Sequence, residues 1–391
     1  MQLTGVELVR ADLAFRTEIG TAAGVHRSRP VLYVRVVARD LDGAQDVEGW
    51  GECAALGEAT SVDPPLDEVE RLAIDRGVPR LDAAAAARKG RLPAAAEVPQ
   101  IFGGTPADRM LAAAFEMAVS DAELRAEGSS LAESLAVGPG FEMVPVGAVV
   151  GIPAGRGLDD FLAATVDVLD QGATRLRMKI EPGWDHEPVR AVRAAHPDLV
   201  IQVDANGSYR ATDDDVAALA RLADLGVLCI EQPLPPADLV ALAQLAERLP
   251  LPICLDESLT TPRRVVDALR NGACAMACLK PGRLGGMRAT RRAHAACAEA
   301  GVPAFVGGFF ETGLGRSSNL ALAARLSQDA TGLVSDLGDP AGYLSVDPCG
   351  YPPVVDGWVR VPAQPGVGHA PDAGVLERLE APRRWFPATY T

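Results

Sequence analysis

The chain has 391 residues, 48% of them hydrophobic and 23% charged, a globular balance that excludes wholesale disorder and leaves room for two compact domains. Its 52 acidic residues against 37 basic ones give a formal charge of −15, which argues against nucleic acid or an anionic membrane surface as a partner. No run of 18 apolar residues occurs, and the start, MQLTGVELVRADL, lacks the basic end and apolar centre of a signal peptide, so the expectation is a cytoplasmic protein.

VELVRADLAF and PVLYVRVVAR (residues 30 to 39) alternate like strands, with a polar loop, RTEIGTAAGVHRSR, between them. EGWGECAAL and two helical stretches follow. The clearer helix has Thr105 as N-cap, Pro106 at its first position and Gly128 past its end, the expected punctuation. Strands first and helices second predict an α+β domain over residues 1–140.

From Val144 the rhythm changes. Eight short apolar runs (VPVGAVVG, TRLRMKI, LVIQVDAN, VLCIEQPL, LPICLDES, ACAMACLKP, VPAFVGGFF and GLVSDLG) alternate with amphipathic helical segments. That is the pattern of an α/β fold of the (β/α)8 barrel type, expected over residues 141–340. A doubly wound open sheet would show fewer repeats and a Gly-rich phosphate loop after its first strand, and none is present. The Pro/Gly-rich tail, residues 341–391, has no βα rhythm and is expected to return to the first domain. Seven scattered cysteines lie mostly in apolar runs and read as reduced core residues; Cys274 and Cys278 have no second pair to make a zinc site.

Catalytic residues of such barrels sit where strands end. The tips read Lys179, Asp204, Glu231, Asp256 and Lys280, at steps of 25, 27, 25 and 24 residues, each about one βα unit. Adjacent strands lie roughly 4.8 Å apart, so the three acids of the third, fourth and fifth runs converge. A lone acid at a strand end is usually a helix cap or an arginine partner; three in register predict a hard divalent cation, Mg²⁺ with Mn²⁺ as a possible substitute. Lys179 and Lys280 end the second and sixth runs and face each other across the mouth. Cations nearby are expected to depress a lysine pKa, freeing it to act as a base on a small-molecule carboxylate substrate.

Around these, Asn206 and Glu257 are expected to stand behind the metal ligands. Arg177, two residues before Lys179, faces the same way and supports that lysine or the acids. Arg283 reaches a second anionic group or is a solvent-exposed arginine. Gly307 and Gly308, ahead of Glu311 in GGFFETGLGR, let a ligand approach closely or form a tight turn. Asp213, Asp214 and Asp215 read as a first helical turn capped by Thr212.

RLRMKIEPGWD, VDANGSY, IEQPL, LDESL, LKPGRLGGM and ETGLGRSSNLALA, with FRTEIGT, GWGECAAL and AFEMAVSDAELRA, resemble the enolase superfamily in its muconate-cycloisomerase-like subgroup. More narrowly they resemble o-succinylbenzoate synthases and N-succinylamino acid racemases. The resemblance implies a modified TIM barrel under a capping domain, proton abstraction alpha to a carboxylate through an enediolate, and a homo-oligomer. It implies syn dehydration for menaquinone synthesis, with Lys179 as base and then acid and Lys280 as cationic stabiliser, or racemisation with the lysines on opposite faces. Loops around 16–28 and 53–62 would close over substrate; Glu311 is expected either to touch substrate or to stand behind the residues that do. Cycloisomerases and dipeptide epimerases are the near alternatives, and a non-catalytic binding barrel the distant one; Asp336 and Asp339 lack the spacing of the epimerases' Asp-x-Asp pair. Two departures stand out: Arg177 replaces the first lysine of the second-strand motif, and GEATSVDPPLDEVE lacks the aromatic, Ser-rich character of the second capping loop.

Overall fold

The computed structural model of the protein describes residues 1–21, 24–40, 45–328 and 333–390. Strands β1 (Gln2–Thr21), β2 (Gly24–Arg39) and β3 (Asp46–Cys53) form an antiparallel sheet. Alternation along β1 sends Val6 and Leu8 into one core and Val9, Ala11, Leu13 and Phe15 into another. The stretch expected as a polar loop is mostly strand: β1 and β2 stay paired out to Thr21 and Gly24 past an irregularity after Ala14. Most of its polar side chains, Arg16, Thr17, Glu18, Arg27 and Ser28, are exposed, which erases the half-buried alternation a strand usually shows, while Arg29 at its base is fully buried. Gly20 accepts a hydrogen bond from the Ile152 N–H at 3.1 Å, tying the ribbon to the second domain. Residues 22–23 of the expected loop lie outside the described residues.

The long helix Pro106–Glu127 packs across β3. Thr105 and Asp108 form a capping box, and Gly128 ends the helix at φ +70°. A Cβ on Gly49 or Gly51 would collide with the Ala118 or Ala114 carbonyl oxygen, so the glycines of GWG let strand and helix touch backbone to backbone.

After the short strand β4 (Met143–Pro145) comes a parallel sheet of seven strands: β5 (Gly147–Val150), β6 (Arg175–Lys179), β7 (Val200–Asp204), β8 (Ile230–Glu231), β9 (Ile253–Leu255), β10 (Met276–Leu279) and β11 (Ala304–Val306), hydrogen-bonded in chain order. The eighth run is not a regular strand. Ser335 bridges to Val146, its carbonyl accepts from the Gly147 N–H at 2.8 Å, and the Leu333 N–H donates to Ala304 at 3.0 Å. The Ser335 hydroxyl also accepts from the Val306 N–H of β11 at 3.0 Å, so this residue touches both edges of the curled sheet, with Leu333 beside it. Gly332 of that run lies outside the described residues.

In the tail, β12 (Val354–Val355) pairs with β13 (Trp358–Arg360), which pairs with β4. Then β14 (Arg383–Pro387) adds antiparallel to β1, Gly5 opposite Pro387. No helix among the described residues is long and apolar enough to cross a membrane.

Candidate active site

In-register pairing sets Lys179 of β6 beside Asp204 of β7, and Asp204 beside Glu231 of β8. Asp256 follows the last residue of β9 and Lys280 the last residue of β10. All five are buried; Asp204 and Glu231 have no accessible surface and Lys280, the most open, 9%. The regular βα repeat therefore brings together the tips predicted from spacing.

The charges are closely matched. Lys179 Nζ donates to Asp204 Oδ2 at 2.6 Å and to Asn206 Oδ1 at 2.8 Å. Arg177 donates to Asp204 at 3.1 Å and to Glu231 at 2.6 Å, and pairs with Asp336 at 2.6 Å; it supports the acids and makes no contact with Lys179 among these. Opposite, Lys280 Nζ donates to Asp256 Oδ2 at 2.7 Å and lies 4.8 Å from the Phe309 ring centre. Arg283 donates to Asp256 Oδ1 and, through Nε and Nη2, to Asp63 at 3.0 and 2.6 Å. Arg283 is thus buried rather than solvent-exposed, and the anion it reaches beyond the strand tips belongs to the first domain.

These contacts decide the titration. Burial alone would raise the Asp256 pKa, but the Arg283 and Lys280 cations hold it well below the usual carboxylate range. Glu231 goes the other way: desolvation, with Asp204 and Asp256 adding, overcomes Arg177 and raises it well above its ordinary value. Lys280 shifts upward beside its carboxylate partner. Burial disfavours its ammonium, yet the direct Asp256 contact outweighs both burial and Arg283 and lifts the pKa above the ordinary lysine value.

Asn206 donates to Glu257 at 2.9 Å, so both stand behind the acids. Burial, then Asp256 and Asp204, raise the Glu257 pKa. Asn206 and Gln232 adopt left-handed backbone, φ +43° and +38°. The Gln232 side chain fixes its turn, donating to Ser258 at 2.9 Å and accepting from the Asp256 N–H at 3.2 Å. Gly307 makes room for a neighbour: a Cβ there would collide with Cys278 and crowd Lys280 Cε at 3.0 Å. Gly308 lies against the carboxylate of Glu311, which accepts from Asn319 at 3.1 Å and has no hydrogen bond to the five tips. Asp213 to Asp215 open a helix capped by Thr212, as the sequence suggests.

Three residues escaped the sequence reading. Asp336, considered only as half of an unmatched pair, anchors Arg175 and Arg177; its place at the end of the eighth apolar run was the available signal. Asp63 sits in the loop before the first helix, and nothing local marks it as a partner for Arg283. Cys278 lies one layer below Lys280. Its Sγ is within 4.8 Å of Glu231 and Asp256 oxygens, forming with them the group of possible ligand atoms among the described residues; Asp204 lies beyond that limit, turned toward Lys179 and Arg177. Buried carboxylates on three adjacent strands, two of them converging, fit a hard divalent cation.

Residues 160–375 match the family described as enolase C-terminal domain-like. The chain belongs to the enolase superfamily. It is 38% identical over 391 residues to the N-succinylamino acid racemase of Amycolatopsis sp, covering 99% of this chain and 100% of the relative. To the o-succinylbenzoate synthase of Geobacillus kaustophilus it is 33% identical over 389 residues, 99% and 98% of the two chains. A solved enolase-superfamily member from Listeria innocua superposes with a TM-score of 0.87 over 100% of both chains at 26% identity. The parallel curled sheet with a separate antiparallel N-terminal sheet is the barrel-and-cap arrangement of this superfamily of enzymes.

Proposed function

We propose that the protein abstracts the proton alpha to a substrate carboxylate, foremost as an o-succinylbenzoate synthase. The observation that carries this reading is the pair of buried lysines, Lys179 and Lys280, flanking three buried acids from opposite sides. Asp204, Glu231 and Asp256 would hold Mg²⁺, or Mn²⁺ in its place. A cation bound there supplies positive charge beside the substrate carboxylate and so acidifies the α-carbon.

Lys179 takes the α-proton and then returns it to the departing hydroxyl, which leaves as water, while electrons from the broken C–H bond form the new double bond. Its links to Asp204 and Asn206 fix the amine's position for both steps. Lys280, held by Asp256 over the Phe309 face, keeps a cation opposite, where negative charge develops. Arg177 draws Asp204 and Glu231 together, in place of the lysine that the resemblance would put there. We assign residues 1–140 and 341–391 to the cap that covers the substrate and 141–340 to the barrel. We further infer a cytoplasmic homo-oligomer acting in menaquinone synthesis.

A second reading is N-succinylamino acid racemase. It is favoured by the near-equivalence of the two lysines, each within 2.7 Å of one strand-tip carboxylate, as two-base exchange requires. Mixing protein and Mg²⁺ with the succinyl-hydroxycyclohexadiene carboxylate and following its ultraviolet absorbance tests the first reading. Loss abolished by EDTA and by Lys179→Ala supports it; no loss with folded, metal-loaded protein sinks it. N-succinylamino acids in D₂O, read by NMR for α-deuterium uptake, test the second.

A further inference from the structure

A cavity of about 300 Å³ lies between the long helix Pro106–Glu127, the start of the helix Met287–Glu299 and the start of the helix Gly313–Gln328. That volume is at the small end of the roughly 300–1,000 Å³ in which proteins hold small ligands. None of the five strand-tip residues lines it. We propose that it binds an aliphatic polyamine, with one ammonium group seated against Glu116.

The inner wall holds carboxylates that the protein leaves incompletely matched. Glu116 Oε1 accepts from the Arg288 N–H at 3.2 Å and has the Arg288 guanidinium at 3.6 Å, but its buried Oε2 has no hydrogen-bond partner. Glu311 repeats the pattern: Oε1 is bonded to Asn319, Oε2 has no hydrogen-bond partner, and its nearest cation, Arg316, is 3.9 Å away. Both residues are only 4% exposed. Burial pushes the Glu116 pKa up to about 7. Such oxygens are costly to keep in a protein interior unless a cation reaches them.

The surroundings favour an organic cation over a metal ion. Among the described residues the cavity's acids do not form a group of three ligand atoms within 4.8 Å of one another; the strand-tip group alone does so. Apolar side chains, among them Met117, Leu124 and Leu135, line the space between them, giving a methylene chain a wall to lie on. Glu123 and Glu127 follow Glu116 along the same helix at intervals of seven and four residues, hence on one face, and also border the cavity. Glu123 is half-buried and Glu127 exposed, so carboxylates run from the buried end to the mouth, roughly 10 Å from Glu116 to Glu123 along the axis. That is the charge pattern of a chain with an ammonium at each end. Arg288 and Arg291 also border the cavity, two cations against five glutamates, and Arg288 leaves Glu116 Oε2 without a partner. The proposal rests on none of the chemistry assigned to the strand tips.

Isothermal titration of the full-length protein with 1,4-diaminobutane, in moderate salt and with Mg²⁺ present, tests it. We expect one saturable site, weakened at least tenfold by Glu116→Gln and blocked by Ser120→Phe, which fills the cavity from a half-buried position. The monoamine n-butylamine should bind at least tenfold more weakly. Binding unchanged in both variants would assign the diamine to the acidic surface at large and overturn the proposal. So would binding abolished by Mg²⁺, which would put the diamine on the strand-tip acids, or no binding at millimolar diamine.

Discussion

The barrel mouth and the seam between cap and barrel bury carboxylates in opposite ways. At the mouth, Asp204, Glu231 and Asp256 each touch a lysine or arginine, and the charges hold one another in place. Along the seam, Glu52 sits within 3.1 Å of the Thr312 N–H and hydroxyl and the Gly315 N–H, with Arg29 no nearer than 3.6 Å, and burial still pushes its pKa up to about 7. Glu116 and Glu311 keep an oxygen with no hydrogen bond at all. Close ion pairs offset the burial of the mouth's acids, whereas the seam's acids accept hydrogen bonds from neutral donors and cost stability where they are ionised. The same residue type thus positions chemistry in one place and stores unfavourable free energy in the other.

The largest expected effect comes from removing a mouth lysine. Lys179→Ala should lower α-proton exchange by roughly 10²–10⁴-fold, measured by NMR in D₂O with circular dichroism unchanged. Breaking the ionic balance should act on stability instead. Arg177→Met strips the shared partner from Asp204, Glu231 and Asp336, and should cost about 3–5 kcal/mol in urea unfolding with EDTA present. Millimolar Mg²⁺ should restore part of that loss; an equal cost in both conditions would mean that no cation serves these acids.

At the seam the sign reverses. Burial raises the Glu116 pKa from 4.5 to about 7, so the folded state holds that proton more tightly than the unfolded chain. Its contribution is fully favourable below pH about 4.5 and is lost as pH rises to about 7. Glu116→Gln should therefore stabilise the protein at pH 8 by on the order of 1–3 kcal/mol, with the gain vanishing towards pH 5. A gain independent of pH would show that the carboxylate is not the source. The smallest effect belongs to neither region: Thr105→Ala removes two hydrogen bonds with Asp108, one accepted from its N–H and one donated to its carboxylate, and should cost about 1 kcal/mol by thermal unfolding.

Spacing carried most of the mouth into view. Once each βα unit takes about 25 residues, acids and lysines recurring at that interval must gather at one end of the ring. The long helix was equally plain, because Thr105, Pro106 and Gly128 act on their own neighbours. What stayed hidden depends on chain segments meeting from afar. Asp63 and Arg283 are 220 residues apart, and no local pattern joins them. The hairpin around Gly20 read as loop because Arg16, Thr17 and Glu18 are exposed in succession and leave no apolar stripe. The eighth run read as a strand from its composition, yet Ser335 alone makes the bridge.

That single bridge has a kinetic consequence. Strands β5 and β6 hold together through four paired residues, whereas the ring's closure between β5 and β11 hangs on the Gly147, Leu333 and Val306 amides. These should exchange with solvent deuterium by local opening, ahead of global unfolding. The next residue is Asp336, which grips Arg175 and Arg177. Each opening of the ring should therefore loosen the arginine that gathers Asp204 and Glu231, which would couple closure of the barrel to assembly of its acidic centre.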